Sequence, residues 1–298
     1  MIVNYSGILK PNINWYNGVS SGRSIGWFSG GAASAVACYL ALQELDDVFL
    51  AFTDTHIESD DTYRFLSDFE GALGVKVHHF CSDKFNEPED VWREYNGLNF
   101  AHGAPCSTYL KREVRIKQVQ DLDNDYCQIF GFDFSKREIN RAINMVKNHA
   151  ETNPRFPLIE REYDRGKIFS TLKYLGIKPP IAYIHFDNNN CLGPESSPKG
   201  GCVQGGVGYW QKMREVYPHK FDYMANIEHE LSKEKGEPVT ICKDQREATK
   251  GSKLFLKFNP GFPDVGTIDE IKGRQPDGYF ECNGFCGTLD MFDNELEF

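Results

Sequence analysis

The chain has 298 residues, 40% of them hydrophobic and 13% aromatic, with nine cysteines and a formal charge of −10. That length buries a full core as one large domain or two modest ones, the aromatic share argues against disorder, and no apolar run reaches the roughly 18 residues of a membrane helix. The acidic balance disfavours a broad polyphosphate-binding surface, whose affinity comes from released counterions, and favours a small nucleotide as partner.

Residues 1–22 read as a polar leader with the turn formers Pro11, Gly18 and Gly22. No basic region precedes an apolar stretch there, so a cytoplasmic protein is expected, with cysteines as free thiols or metal ligands. Arg23–Phe28 reads as a strand that runs into Ser29-Gly-Gly-Ala-Ala-Ser34 and then a small-residue helix over 32–45. A strand, paired glycines and a helix start build an anion cradle. Gly30 and Gly31 let backbone approach an oxyanion, the first-turn amides lack intrahelical partners, and Ser29 and Ser34 add neutral donors. The Gly-Lys-Ser/Thr ending of a Walker loop is missing, which disfavours a kinase or GTPase.

Asp47–Thr53 is a continuous apolar run, as in a buried parallel strand, and Asp54 ends it. A helix over Asp60–Leu73, a strand over Val75–Phe80 and a helical, loop-rich segment over 84–96 follow. Ser107 caps a helix to Gln120 that carries Lys111, Arg112 and Arg115. Tyr126–Gly131 reads as the fourth strand, Ser135–His149 as a helix holding Arg141, then come Arg155–Ile159 and a helix over Arg165–Leu175. This alternation predicts an α/β fold, a Rossmann-like parallel sheet with helices on both faces, over 23–187. Ligands in such sheets sit beyond the carboxyl strand ends, where the cradle, Asp54 and Gly131 fall. Residues 188–298 read as a smaller cysteine-bearing subdomain, with one helix over Tyr209–Lys235 and a loop-rich end.

Asp54 suits ribose hydroxyls or a magnesium ion, and equally suits an Asx turn. Lys111 and its neighbours offer the cations that phosphoryl or sulfuryl groups need, though basic helix faces are commonly just solvated. Cys191 with Cys202, and Cys282 with Cys286, form two separated pairs of the kind a Cys₄ site uses for zinc or an iron–sulfur cluster. Cys38, Cys81, Cys127 and Cys242 read as ordinary buried or incidental thiols. Cys106 is open between facing the site, joining a cluster and packing.

Ordered motifs run from Trp27–Ser34 through Asp54-Thr55 with Glu58, Thr62-Tyr63, Pro105–Lys111, Gly131-Phe-Asp with Glu138 and Arg141, Pro157–Glu160, Pro180–Tyr183 and Asn189–Cys191 to Gly201–Gly206. Together they resemble the phosphoadenosine phosphosulfate reductase-like branch of the PP-loop ATP pyrophosphatase superfamily, phage and bacterial members above all. The resemblance implies an adenine nucleotide alpha-hydrolase-like fold with ATP, or phosphoadenosine phosphosulfate, bound through its phosphates on Ser29–Ser34. Gly131 and Arg141 would contact the nucleotide, and Lys111 and Asp54 would serve catalysis with Mg²⁺. The implied activity is adenylation of an acceptor with pyrophosphate release, followed by sulfur transfer. The acceptor is left open between a small molecule, a nucleobase and a nucleic acid. No membrane partner is expected, and a homodimer is compatible.

Two departures stand out. Most relatives carry a charged residue inside the loop, where this chain has Ala32 and Ala33, and Leu192–Gly201 is inserted between cysteines that relatives place closer together. Glu281-Cys282-Asn-Gly284 resembles the tail that carries the nucleophilic cysteine of true reductases, which opens sulfonucleotide reduction as an alternative. The uncharged loop opens a third reading, non-catalytic binding or sequestering of an adenine nucleotide.

Overall fold

The computed structural model describes residues 23–100, 103–120, 126–149 and 152–274; the leader 1–22 and the pair Cys282 and Cys286 lie outside them. Strands β1 (Arg23–Trp27), β2 (Asp47–Thr53), β3 (Val77–Phe80), β4 (Cys127–Ile129) and β5 (Pro154–Arg155) form one sheet in the order β3-β2-β1-β4-β5. All neighbours run parallel, with Trp27 opposite Ala51 and Gly26 opposite Ile129. Side chains alternate along β1 as the pleat requires. Ile25 and Trp27 join Ala51, Phe130, Ile139 and Phe156 on one face. Phe28 joins Phe52, Phe65, Phe69 and Leu172 on the other.

Helix α1 (Ala32–Glu44) is buried along most of its length, which its run of alanines permits. Gly26 lets it lie close to the sheet: a Cβ there would meet Leu50 at 2.7 Å and Cys38 Sγ at 3.0 Å. Helix α2 (Asp60–Leu73) has a hydroxyl cap, with Ser59 Oγ accepting from Thr62 N–H at 3.1 Å, and acidic residues in its first turn that suit the helix dipole. It stops at Gly74 in the left-handed region, φ 64°. Two helices follow between β3 and β4, α3 (Pro88–Glu94) and α4 (Pro105–Ser107). A π-helical turn over Thr108–Arg112 then leads into α5 (Glu113–Gln120), so the helix expected from Ser107 begins earlier and is wound wide at Lys111. Past β4 come α6 (Lys136–Asn148), α7 (Pro157–Glu160), α8 (Arg165–Tyr174) and α9 (Ala182–Phe186).

The helix expected over Tyr209–Lys235 is two, α10 (Val207–Val216) and α11 (Pro218–Lys235). Pro218 has no N–H to continue the ladder and drives Tyr217 out of helical geometry, to φ −132° and ψ 63°. Their core unites Trp210, Met213, Phe221 and Met224 with Trp92, Leu98 and Phe186 from earlier in the chain. An antiparallel pair, β6 (Cys242–Lys243) and β7 (Lys253–Leu254), closes this part.

Two buried ionisable side chains anchor the C-terminal part. Lys220 Nζ donates to the carbonyls of Pro194, Ser197 and Lys199 at 2.7, 2.8 and 3.0 Å, tying down the inserted loop. The Glu228 carboxylate accepts the amides of Ile241 and Leu256, both at 2.7 Å.

Candidate functional site

Strand order reverses between β1 and β4, which opens the crevice where a parallel sheet takes its ligand. The Ser29–Ser34 loop fills the carboxyl end of β1. Its Ser34 Oγ accepts from both the amide and the hydroxyl of Ser29, each at 2.9 Å, and donates to Gly31 O at 2.9 Å. Gly30 takes φ 81°, and a Cβ there would meet Thr62 Cγ2 at 2.6 Å, so glycine is needed twice over. Asn189 Nδ2 clamps the turn by donating to Gly30 O at 2.9 Å and Thr62 Oγ1 at 3.0 Å. Gly31 offers no side-chain cap to α1; instead the Tyr183 hydroxyl accepts from Ala32 N–H at 2.8 Å. One first-turn amide expected to meet an anion is thus already bonded within the protein.

Gly131 has a different use from the one expected. A Cβ there would lie 2.5 Å from Ser34 Cα and N, so the glycine admits the start of α1 rather than simply opening space for a ligand. Arg141 lies at the same edge, stacked 4.7 Å over Phe132 and paired to both Glu138 oxygens at 2.7 and 2.8 Å. That carboxylate offsets the charge expected to face a phosphate.

Asp54 ends β2 with 8% of its surface exposed. Its Oδ1 accepts from His56 N–H at 2.8 Å and the Tyr63 hydroxyl at 2.7 Å, and Oδ2 lies 3.3 Å from His79 Nδ1. Burial, then the Asp54 carboxylate, push the Tyr63 phenol well up, which keeps it a donor. With both oxygens occupied, Asp54 fits a positioned acceptor for a polar ligand group better than a bare metal ligand.

Glu58, 2% exposed, is a hub that sequence reasoning left without a role. Its Oε1 accepts from Thr55 Oγ1 at 3.0 Å and lies 3.5 Å from Lys111 Nζ and 3.6 Å from Cys191 Sγ. Lys111 reaches it from the π-helical turn, a distortion common at functional positions. Cys106, Cys191 and Cys202 line one cavity of about 30 Å³ with Thr55, Lys111 and Gln204. Cys191 and Cys202 are held across a loop where Gly201 N–H donates to Cys191 O at 2.9 Å. Cys106, open on sequence grounds, therefore faces the same space. Among the described residues no group of three or more His, Cys, Asp or Glu is placed to hold a metal ion. The expected Cys₄ set thus gains no complete ligand shell there, and Cys282 and Cys286 lie outside the described residues.

Tyr183 and Asn189 appeared in the motif series only as family markers, with Tyr183 a lone hydroxyl in the largely apolar run 181–186 and Asn189 inside the polar run 187–190.

Residues 24–131 match the family model described as the phosphoadenosine phosphosulfate reductase domain. The match covers 108 of the 298 residues and is a likeness of this segment to that domain family. No curated protein matches the chain. The match runs from β1 to the end of β4 and so holds the cradle, Asp54, Glu58, Lys111 and Gly131. Arg141, Tyr183, Asn189, Cys191 and Cys202 lie outside the matched segment. Domains of this family bind adenine nucleotides and suggest an enzyme. No helix among the described residues is long and apolar enough to cross a membrane.

Proposed function

We propose that this PP-loop domain binds ATP with its phosphate tail on Ser29–Ser34 and activates an acceptor oxygen by adenylation, so that sulfur can replace it. One observation carries the reading: the phosphate cradle and a set of thiols share a single bonded path. Asn189 clamps Gly30, and two residues later Cys191 meets Glu58, which in turn meets Lys111. Sulfur chemistry beside a nucleotide phosphate is what that adjacency serves.

In this reading the acceptor oxygen attacks the α-phosphorus and pyrophosphate leaves on the loop's amides and hydroxyls. A sulfur nucleophile then displaces AMP, which carries the original oxygen away. Lys111 offsets the charge that builds on the phosphorus, and the Glu58 carboxylate holds its ammonium in place. Asp54 accepts from a ribose hydroxyl. Gly131 and Arg141 shape the nucleotide's flank. Cys191 and Cys202, with Cys282 and Cys286, are the proposed soft-metal ligands, the first two lining one cavity. Mg²⁺ would take its ligands largely from the nucleotide and water.

The test is release of pyrophosphate and AMP from α-labelled ATP, screened over small-molecule, nucleobase and RNA acceptors. Turnover dependent on Lys111 and lost in Lys111→Met is expected. Binding without any product across the screen would instead favour a nucleotide-sequestering protein. The family match itself favours a second reading, reduction of phosphoadenosine phosphosulfate. Thioredoxin-dependent sulfite release that disappears in Cys282→Ser would establish it over adenylation. The two-domain division at 187/188 and a homodimer stand as parts of the same proposal.

A further inference from the structure

Outside the motif series, the carboxyl edge of β2 and β3 carries a thiol–imidazole pair. Cys81 follows β3 directly, and among the described residues it is the exposed cysteine, the others being buried or half-buried. His56 Nε2 lies 3.1 Å from its Sγ. The ring is set by its other nitrogen, Nδ1, which lies 2.9 Å from the Asn86 carbonyl. A carbonyl can only accept, so this bond places the ring proton on Nδ1 and leaves Nε2 as the acceptor facing sulfur. His56 itself sits in the left-handed region at φ 58°, a conformation non-glycine residues adopt rarely. Its amide is fixed by Asp54 Oδ1 at 2.8 Å, so backbone and ring are both held.

We propose that Cys81 is a thiol–disulfide exchange site for low-molecular-weight disulfides, with His56 as its general base. This needs neither nucleotide nor metal. Partial desolvation of the otherwise exposed thiol, and then the Asp54 carboxylate, push Cys81 up, so the proton stays on sulfur until a base removes it. In the reaction the Cys81 proton moves to His56 Nε2 and the thiolate attacks one sulfur of a disulfide RS–SR′. The Cys81–S–SR bond forms as the S–S bond breaks, and R′S⁻ leaves with the electron pair and takes the proton back from His56. The oxidising equivalent comes wholly from the disulfide. A nucleophile, a base within hydrogen-bond reach and a third group that orients the base are the elements such chemistry requires.

The experiment exposes the full-length, pre-reduced protein to oxidised glutathione and maps adducts by mass spectrometry over short times. Adducts are expected first at Cys81, at least tenfold faster than the same exchange with a free cysteine derivative. His56→Asn, which tolerates left-handed backbone but cannot act as base, should slow Cys81 labelling at least tenfold at an unchanged thermal midpoint. Cys81 labelling no faster than the free thiol would overturn the proposal, and that comparison needs no variant. So would equal labelling rates in wild type and a folded His56→Asn or His56→Gln protein. Adducts forming first on another cysteine would also overturn it.

Discussion

The two halves of the molecule hold themselves together by different means. In the sheet half, apolar runs do the work: Phe28, Phe52, Phe65 and Phe69 close one face and Phe130, Phe132 and Phe156 the other. Polar groups there gather at the carboxyl edge, at the site. In the C-terminal half, two ionisable side chains that each serve several backbone groups sit inside the structure, Lys220 at 1% and Glu228 at 0% exposure. Each satisfies several backbone groups at once. An apolar face averages its stability over many contacts, whereas a single buried polar group concentrates it, because its removal strands every group it served. Replacing Lys220 or Glu228 should therefore cost far more than removing a single hydroxyl from the sheet half.

The largest expected effect is at Lys220. Replacement by Met keeps the stem's packing but leaves the carbonyls of Pro194, Ser197 and Lys199 without their shared donor. Bonds to a charged group contribute about 1.5–3 kcal/mol each, so a loss of roughly 4 kcal/mol is expected in chemical unfolding. The inserted loop starts beside the thiols, with Gly193 N–H donating to Ile57 O at 3.0 Å. Protease cleavage within 192–201 should therefore accelerate in Lys220→Met. Loss under 1 kcal/mol would mean water replaces the ammonium freely, and the contrast between the halves would fail.

Glu228 sharpens the same contrast through pH. Burial raises its pKa from an ordinary 4.5 to about 8. Across that interval the folded protein holds a proton that the unfolded chain has released. The stability Glu228 lends is thus complete below 4.5 and is lost as pH rises toward about 8. The decline expected over the interval is on the order of a few kcal/mol. Glu228→Gln cannot ionise and satisfies one of the two amides, so it should start about 1–2 kcal/mol less stable at the acid end. Its stability should then change less with pH, and the two curves should converge. Parallel curves in urea titrations from pH 5 to 8 would assign the decline to other groups.

What could be read in the sequence follows the same division. The cradle and Asp54 were legible because strand, turn and helix start are consecutive in the chain, and a continuous apolar run marks a buried parallel strand. The order β3-β2-β1-β4-β5 was not read, because alternation alone does not say on which side of β1 each strand lies. Relations between distant residues were not legible. His56 and Cys81 are separated by α2 and β3, and the thiols of Cys106, Cys191 and Cys202 come from segments with no common spacing. Gly131 looked like room for a ligand because its contact with Ser34 exists only once β4 lies beside β1. Pro218 was visible and still missed, since apolar periodicity continues on both sides of the break. Buried charges such as Lys220 carry no periodic signature at all.

The smallest expected effect lies in the sheet half and tests the comparison from its other side. Tyr183→Phe removes one hydroxyl and leaves the ring in place against Phe169, whose centroid is 5.3 Å away at 87°. No cavity forms. What is lost is the acceptor for Ala32 N–H, at a helix start where Gly31 provides no cap. Loss of a helix cap costs about 1 kcal/mol. Because apolar burial holds α1 in place on several sides, the helix should stay put and the loss should remain near that figure. Nucleotide affinity should fall less than tenfold, since Ser34 and Asn189 still shape the loop. A loss comparable to that of Lys220→Met would show that the cradle, too, hangs on a single polar contact, and that the two halves differ less than their cores suggest.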